Sequence, residues 1–270
     1  YDPNACHRTN PEIWDRTNGR VYNVAWGEPK PVRVDLAKLP DAELVQLHLH
    51  KNDWYVRMAR RILQERAAAG RLAKDTPAAL RKIAREHNDV TRQLRAIWTL
   101  HAIDALGDDE RLALSDHRDE YVRAWSVQLE LEDRAAPSNV IDRWVTMAQH
   151  DPSPVVRLYL ASALQRLPLA DRWPLAEALV RHAEDAGDHN LPLMLWYGIE
   201  PLVPPDPKRA LALGDASPIP LLRRFIVRRA ASDNQSLNVV AESLSRTTAD
   251  ESQVLILDEM LHAFEGRVGI

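Results

Sequence analysis

Histidine and aspartate recur together along this chain where turns would stand: His50 with Asp53, His87 with Asp89, His117 with Asp119, His150 with Asp151, and Asp188 with His189. Imidazole and carboxylate suit zinc and related ions, so the pattern raises a metal-binding ladder. Stacked helical repeats lie about 10 Å apart, too far for the His of one turn and the Asp of the next to share an ion. Turn chemistry and helix capping, repeated because the unit repeats, is the expected role. A second series is Arg57, Arg92, Arg123 and Arg157, each close behind a capping Asp or Ser. Such a row suits phosphate or an acidic partner. A bond to an Asp or a carbonyl end of the neighbouring repeat satisfies it as well, and that internal role is expected. The clusters Arg60-Arg61, Arg223-Arg224 and Arg228-Arg229 read as solvated helix faces.

Six tryptophans, Trp54, Trp98, Trp125, Trp144, Trp173 and Trp196, fall about once per repeat. An aromatic ladder can stack bases or sugars, but helical spacing among leucines predicts core packing. Cys6 is the only cysteine, so no intrachain disulfide forms. Its neighbour His7 is adjacent in sequence, which does not aim a base at a thiol. There is no GxSxG, no glycine-rich phosphate loop, no HExxH and no CxxCH. No catalytic, cofactor-binding or metal-ligating residue is therefore assigned.

The elements that carry these residues repeat. Asp53-Trp54-Tyr55-Val56-Arg57, Asp89-Val90-Thr91-Arg92, Asp119-Glu120-Tyr121-Val122-Arg123 and Ser153-Pro154-Val155-Val156-Arg157 each open a helix, and Ser217-Pro218-Ile219-Pro220-Leu221-Leu222-Arg223 repeats the theme more weakly. The arginines are spaced by 35, 31, 34 and 66 residues. The last gap is two periods, with the skipped unit near Asn190-Leu191-Pro192-Leu193 and Met194 in the arginine's place. A period in the thirties with two helices per unit is the signature of a helical solenoid. Asp53 and its counterparts are expected to cap, and Pro154 sits where a missing N–H is harmless. Behind the caps run apolar stripes: Val56, Ala59 and Leu63; Leu94, Ile97, Trp98, Ala102 and Ala105; Val122, Trp125 and Leu129; Val156, Leu160, Ala163, Leu164 and Leu167. Each is one face of an amphipathic helix that only a neighbour can bury. The first helices are marked by Leu44, Val45 and Leu47, by Leu80, Ile83 and Ala84, by Val140, Ile141, Trp144 and Val145, and by Leu175, Leu179 and Val180. Val239, Val240 and Leu244 begin the last pair, and Val254, Leu255, Leu257 and Leu261 finish it. The expectation is an all-α solenoid of about seven HEAT-like helix pairs over residues 39–270. Asp108–Leu114 allows barely two turns, and Pro201–Pro207 is the expected bend.

Residues 1–38 differ. Tyr22, Val24 and Trp26 are in strand phase after the Asn18-Gly19 turn, and Pro31–Asp35 reads as a second extended piece. This short extended segment cannot fold alone as a sheet. Apolar residues make up 45% of the chain and charged residues 27%, ordinary for a globular protein. Nine glycines argue against an all-β chain, and eighteen prolines are expected at helix starts and in loops. A net charge of −4 and a pI near 6.2 weigh against a nucleic-acid partner. No stretch is apolar for long enough to span a membrane, and no signal peptide is expected within residues 1–270. The chain begins with Tyr1, which suggests a processed product or fragment.

Asp15-Arg16-Thr17-Asn18-Gly19-Arg20-Val21-Tyr22, then Val34-Asp35-Leu36-Ala37-Lys38-Leu39, then His50-Lys51-Asn52-Asp53-Trp54-Tyr55-Val56-Arg57 running on to Arg66, resembles the HEAT-repeat middle of the membrane-bound dehydrogenase family of planctomycetes and verrucomicrobia. Phe264-Glu265-Gly266-Arg267 resembles that family's exit from its repeats. Those proteins run from a β-propeller through HEAT repeats to a CxxCH haem domain. The resemblance implies an exported protein, with residues 1–38 as a possible remnant of the propeller. No haem, other cofactor or dehydrogenase residue carries over to this chain. The expected role is a non-catalytic protein-interaction or interdomain spacer module, whose partners are protein or neighbouring domains of the same polypeptide. The alternative is a fragment of a propeller and cytochrome c oxidoreductase whose catalytic and haem parts lie elsewhere.

Overall fold

The computed structural model describes Tyr22, Val24, residues 26–28, 33–132 and 134–265. Cys6-His7, Asp15–Val21, Pro31, Val32 and Gly266-Arg267 lie outside the described residues. The chain divides into two compact units, Tyr1–Lys38 and Leu39–Ile270. In the first, Tyr22, Val24 and Trp26 are exposed and belong to no strand, and Leu36–Lys38 makes one 3-10 turn.

In the second unit the described residues form fourteen α-helices and no strand. They pair in sequence: α1 (Asp41–Gln46) with α2 (Asp53–Ala68), α3 (Thr76–Glu86) with α4 (Val90–Ala102), α5 (Asp108–Ala113) with α6 (Glu120–Glu130), and α7 (Ser138–His150) with α8 (Pro154–Leu164). Next come α9 (Leu169–Leu179) with α10 (Leu191–Ile199), α11 (Pro207–Ala216) with α12 (Pro220–Ala231), and α13 (Leu237–Arg246) with α14 (Asp250–Phe264). Seven pairs result, as the period predicts. Second helix packs on second helix: α6 on α8, α8 on α10, and α12 on α14.

Local chemistry sets the boundaries. Asp89, Asp119 and Ser153 cap α4, α6 and α8 by accepting first-turn amides. For α2 the cap is Asn52, which accepts from Trp54; Asp53, expected to cap, is already the first helical residue. Helix α2 closes on Gly70 at φ +64, and Arg71 returns its amide to the Arg66 carbonyl. Only a residue without Cβ takes that conformation freely. The expected short unit is α5, whose six residues run into the 3-10 turn Leu114–Asp116. Pro174 departs from the expectation for proline: it lies inside α9, where it removes the bond to the carbonyl of Ala170 in the exposed first turn. The expected bend near Pro201 is a 3-10 turn, Glu200–Leu202, with Leu202 and Val203 buried.

Most residues of the predicted second-helix stripes fill the core, while Trp98, Ala102, Ala105 and Trp125 are only half-buried. Val56, Ala59 and Leu63 are buried, as are Val156, Leu160, Ala163, Leu164 and Leu167. One apolar cluster runs from Ala124 of α6 to Ile256 of α14. At Gly198 of α10 the backbone comes so close to α8 that an added Cβ would stand 2.5 Å from the Cβ of Leu164. The last stripe departs from expectation. Val254, Leu257 and Leu261 are exposed, because α14 turns Ile256 and Glu259 inward and no described helix covers its other side.

Candidate functional site: the turns, the arginines and the second-helix surface

The turns carry one repeated device. Two residues before the caps of six second helices, α2 to α12, a side chain accepts the cap's own backbone N–H. His50 Nδ1 accepts from Asn52, His87 Nδ1 from Asp89 and His117 Nδ1 from Asp119, each at 3.0 Å. Asp151 accepts from Ser153 at 3.0 Å, Asp188 from Asn190 at 2.8 Å and Ser217 from Ile219 at 3.2 Å. Four residues after the cap, a long side chain reaches back to the same turn. Gln93 donates to the His87 carbonyl at 2.6 Å, Arg123 to that of His117 at 2.9 Å, Arg157 to that of Asp151 at 3.1 Å, and Gln253 to that of Thr247 at 2.6 Å. The recurrence of His and Asp is thus turn chemistry. Its members differ from the sequence pairs: Asn52 takes the place given to Asp53, Asp151 acts rather than His150, and Asp188 rather than His189.

The arginine series separates into two kinds. Arg123 grips Asp151 of the next turn with Nε and Nη2 at 2.7 and 2.9 Å, and Arg157 grips Asp185 at 2.7 and 2.6 Å. Both bridge one helix pair to the next. Asp151 is pushed up by burial, yet the Arg123 guanidinium and the Ser153 amide hold its carboxyl below the usual range. Arg57 instead pairs with Asp53 on its own helix at 2.7 Å, and Arg92 with its own cap Asp89. The near-equal spacing hid different registers, since Arg57 follows its cap by five residues and Arg92 by three. The clusters are not simply solvated either. Arg224 and Arg228 converge on the fully buried Glu259 at 2.5 and 2.6 Å, Arg229 meets Glu200, and Arg223 meets Asp215 at 3.1 Å. Arg172, with no carboxylate partner among the described residues, donates to the carbonyls of Leu167, Gly198 and Gln165.

The tryptophans also divide. Trp144 and Trp173 are core, while Trp54 is 49% exposed. Trp98, Trp125 and Trp196 are half-buried on the surface of the second helices. Trp98 meets Trp125 edge to face, with centroids 4.7 Å apart, and Trp125 meets Tyr159 at 6.3 Å. Farther along, Trp196 meets Phe225 at 5.3 Å. Arg60 lies 5.3 Å above Trp98, and Arg228 lies 5.6 Å from Phe225. Trp125, Tyr159, Trp196 and Phe225 each stand six residues behind their helix's cap. That shared position, read against the caps, is the signal by which the sequence displays the row. Three hollows open along it. One of about 460 Å³ lies among Arg60, Gln64, Trp98, His101 and Trp125. One of about 320 Å³ lies among Trp125, Gln128, Tyr159 and Met194, and one of about 390 Å³ among Trp196, Phe225, Arg228 and His262.

No family model, curated protein or solved structure matches the chain.

What these side chains can do rests on their geometry. Among the described residues the one imidazole–hydroxyl pair is His48 Nε2 with Thr99 Oγ1 at 2.7 Å. Both residues are fully buried, so no substrate reaches them. Burial and the charges of Arg60 and Arg95 lower the His48 pKa to about 4, against carbonyl hydrogen bonds that favour its proton. Asp258, Glu259 and His262 bring potential metal ligands together, but Glu259 is taken up by two guanidinium groups. The described residues therefore form a repeat domain without an evident catalytic constellation. No described helix is long and apolar enough to cross a membrane.

Proposed function

We propose that the chain is a non-catalytic α-solenoid module that binds protein, or that holds neighbouring domains of its own polypeptide at a set separation. The observation that carries this reading is the outer side of α14. Val254, Leu257 and Leu261 lie at i, i+3 and i+7 and are 63%, 53% and 70% exposed. A terminal repeat that faces water carries a polar outer side. An apolar stripe there suits a protein surface stacked onto the last pair. The test is the double variant Leu257→Glu/Leu261→Glu. Hydrophobic-dye fluorescence and any concentration-dependent association should fall while the melting temperature holds. A large loss of melting temperature would mean that the stripe serves this chain's own core, and the reading would fail.

A second reading draws on the resemblance of His50–Arg66 and the preceding words to the dehydrogenase family's middle region. In it the module spaces a β-propeller from a haem domain in an exported oxidoreductase. The reading frame on either side of residues 1–270 tests it: propeller blades upstream and CxxCH downstream support it, and other neighbours remove it.

A further inference from the structure

Trp98, Trp125 and Tyr159 are half-buried, and they wall two hollows that share Trp125. At one end of this strip three guanidinium groups surround one carboxylate. Asp53 pairs with Arg57 at 2.7 Å and with Arg95 at 3.0 Å. Arg60, beside them, has the Thr99 hydroxyl at 3.3 Å and the Trp98 ring, but no described carboxylate lies within 4.0 Å. Burial lowers its pKa, Asp53 raises it, and Arg95 and Arg57 lower it further. Behind the other hollow, Arg166 donates to its lining residue Gln128 at 3.1 Å and likewise has no described carboxylate within 4.0 Å. Glu132 also lines the first hollow and meets His101 at 2.9 Å. The guanidinium groups of Arg57, Arg60, Arg95 and Arg166 still outnumber the Asp53 and Glu132 carboxylates, so the strip is under-neutralised in a chain of net charge −4. A partner's carboxylate completes it.

The strip crosses α2, α4, α6 and α8. Three steps of helix packing, about 8–10 Å each, give roughly 25–30 Å. An extended chain in the polyproline II form rises about 3.1 Å per residue, so about nine residues cover it. One turn of that form, about 9 Å, matches one helix step, and aromatic-lined grooves suit it. Its carbonyls are free to accept from Gln64 and Gln128 at the hollows. Base stacking is less well served, because it needs open ring faces. Trp98 has Arg60 above it and Trp125 at its edge.

The geometry points to an extended acidic segment of a partner protein laid across α2, α4, α6 and α8, with a carboxylate at Arg60 and apolar side chains about six residues apart in the two hollows. This rests on the binding-module reading and gives it a partner class.

The test uses the whole chain and a fluorescent nine-residue peptide that repeats aspartate-proline-leucine, followed by anisotropy and tryptophan emission. Saturable binding is expected. Gln64→Glu, at an exposed position, and Arg60→Gln should each weaken it by about tenfold or more, with circular dichroism unchanged. Arg118→Gln, away from the strip, should leave it intact. Peptides that repeat lysine-proline-leucine or aspartate-glycine-serine should bind at least about tenfold more weakly. Absence of saturable binding to the folded chain would overturn the assignment. So would equal binding of the lysine peptide, indifference to both strip variants, or tighter binding of oligo-dT. The α14 dye measurement is independent, so failure here with that result intact removes the strip and not the module.

Discussion

Replacing Arg157 by Met tests whether the arginine series is spent inside the fold. Arg157 and Asp185 are each 3% exposed and share two hydrogen bonds at 2.7 and 2.6 Å, and Arg157 also holds the Asp151 carbonyl at 3.1 Å. Met keeps most of the stem volume but strands the Asp185 carboxylate in a dry site. Breaking a buried pair from one side costs about 3–5 kcal/mol. At roughly 2–4 °C per kcal/mol for a domain near this size, the melting temperature should drop by about 6–20 °C. Arg57→Met is the internal control: its pair is 75% and 47% exposed, and the loss should stay under about 1 kcal/mol. Arg157→Met/Asp185→Leu removes the stranded charge and should recover most of the stability. Calorimetry with limited proteolysis reads all three. Because the pair joins α8 to the 3-10 turn Ala183–Gly187, cleavage in Arg157→Met should begin in that turn. If Arg157→Met behaved like Arg57→Met, the bridge would contribute little to the fold, and the internal role argued for the series would fail.

Three further outcomes follow from the same geometry. His48, with its folded pKa lowered to about 4 from 6.5, binds protons less readily folded than unfolded; its stabilisation is complete above about pH 6.5 and is lost as pH falls through about 4, by about 3 kcal/mol in all. Denaturant titrations from pH 7 to 4 should show that slope, and His48→Leu should flatten it. Gly198→Ala pushes a methyl group against Leu164 and should destabilise the chain by about 1–3 kcal/mol, seen as a lower urea midpoint. Asn52→Ala removes the α2 cap and should cost about 1 kcal/mol by the same assay, and no measurable loss would return the cap to Asp53.

The helix pairs were legible because their signals are local: a capping oxygen, a proline in the first turn, and apolar residues at helical spacing. What the sequence hid depended on register and on what lies opposite. Asn52 and Asp53 are adjacent and both able to cap, so only the backbone trace separates them. Arg57 and Arg123 look equivalent at near-equal intervals, yet one points along its own helix and the other across to Asp151. The stripe of Val254, Leu257 and Leu261 reads the same whether covered or bare, since periodicity marks an apolar side and not its neighbour. Trp98 and Trp125 read as core for the same reason, whereas their position on α4 and α6 leaves each ring only partly covered.

The latch at the turns before α4, α6 and α8, one acceptor before the cap and one long donor behind it, closes within a single loop. A duplicated unit therefore brings both halves of its latch along, and no distant residue has to change to receive it. The forward grip of Arg123 or Arg157 asks only that the following unit place a carboxylate in the turn or 3-10 segment that it reaches. A chain wired this way can gain or lose whole units over generations while these turns keep their own bonds, so its length is free to vary.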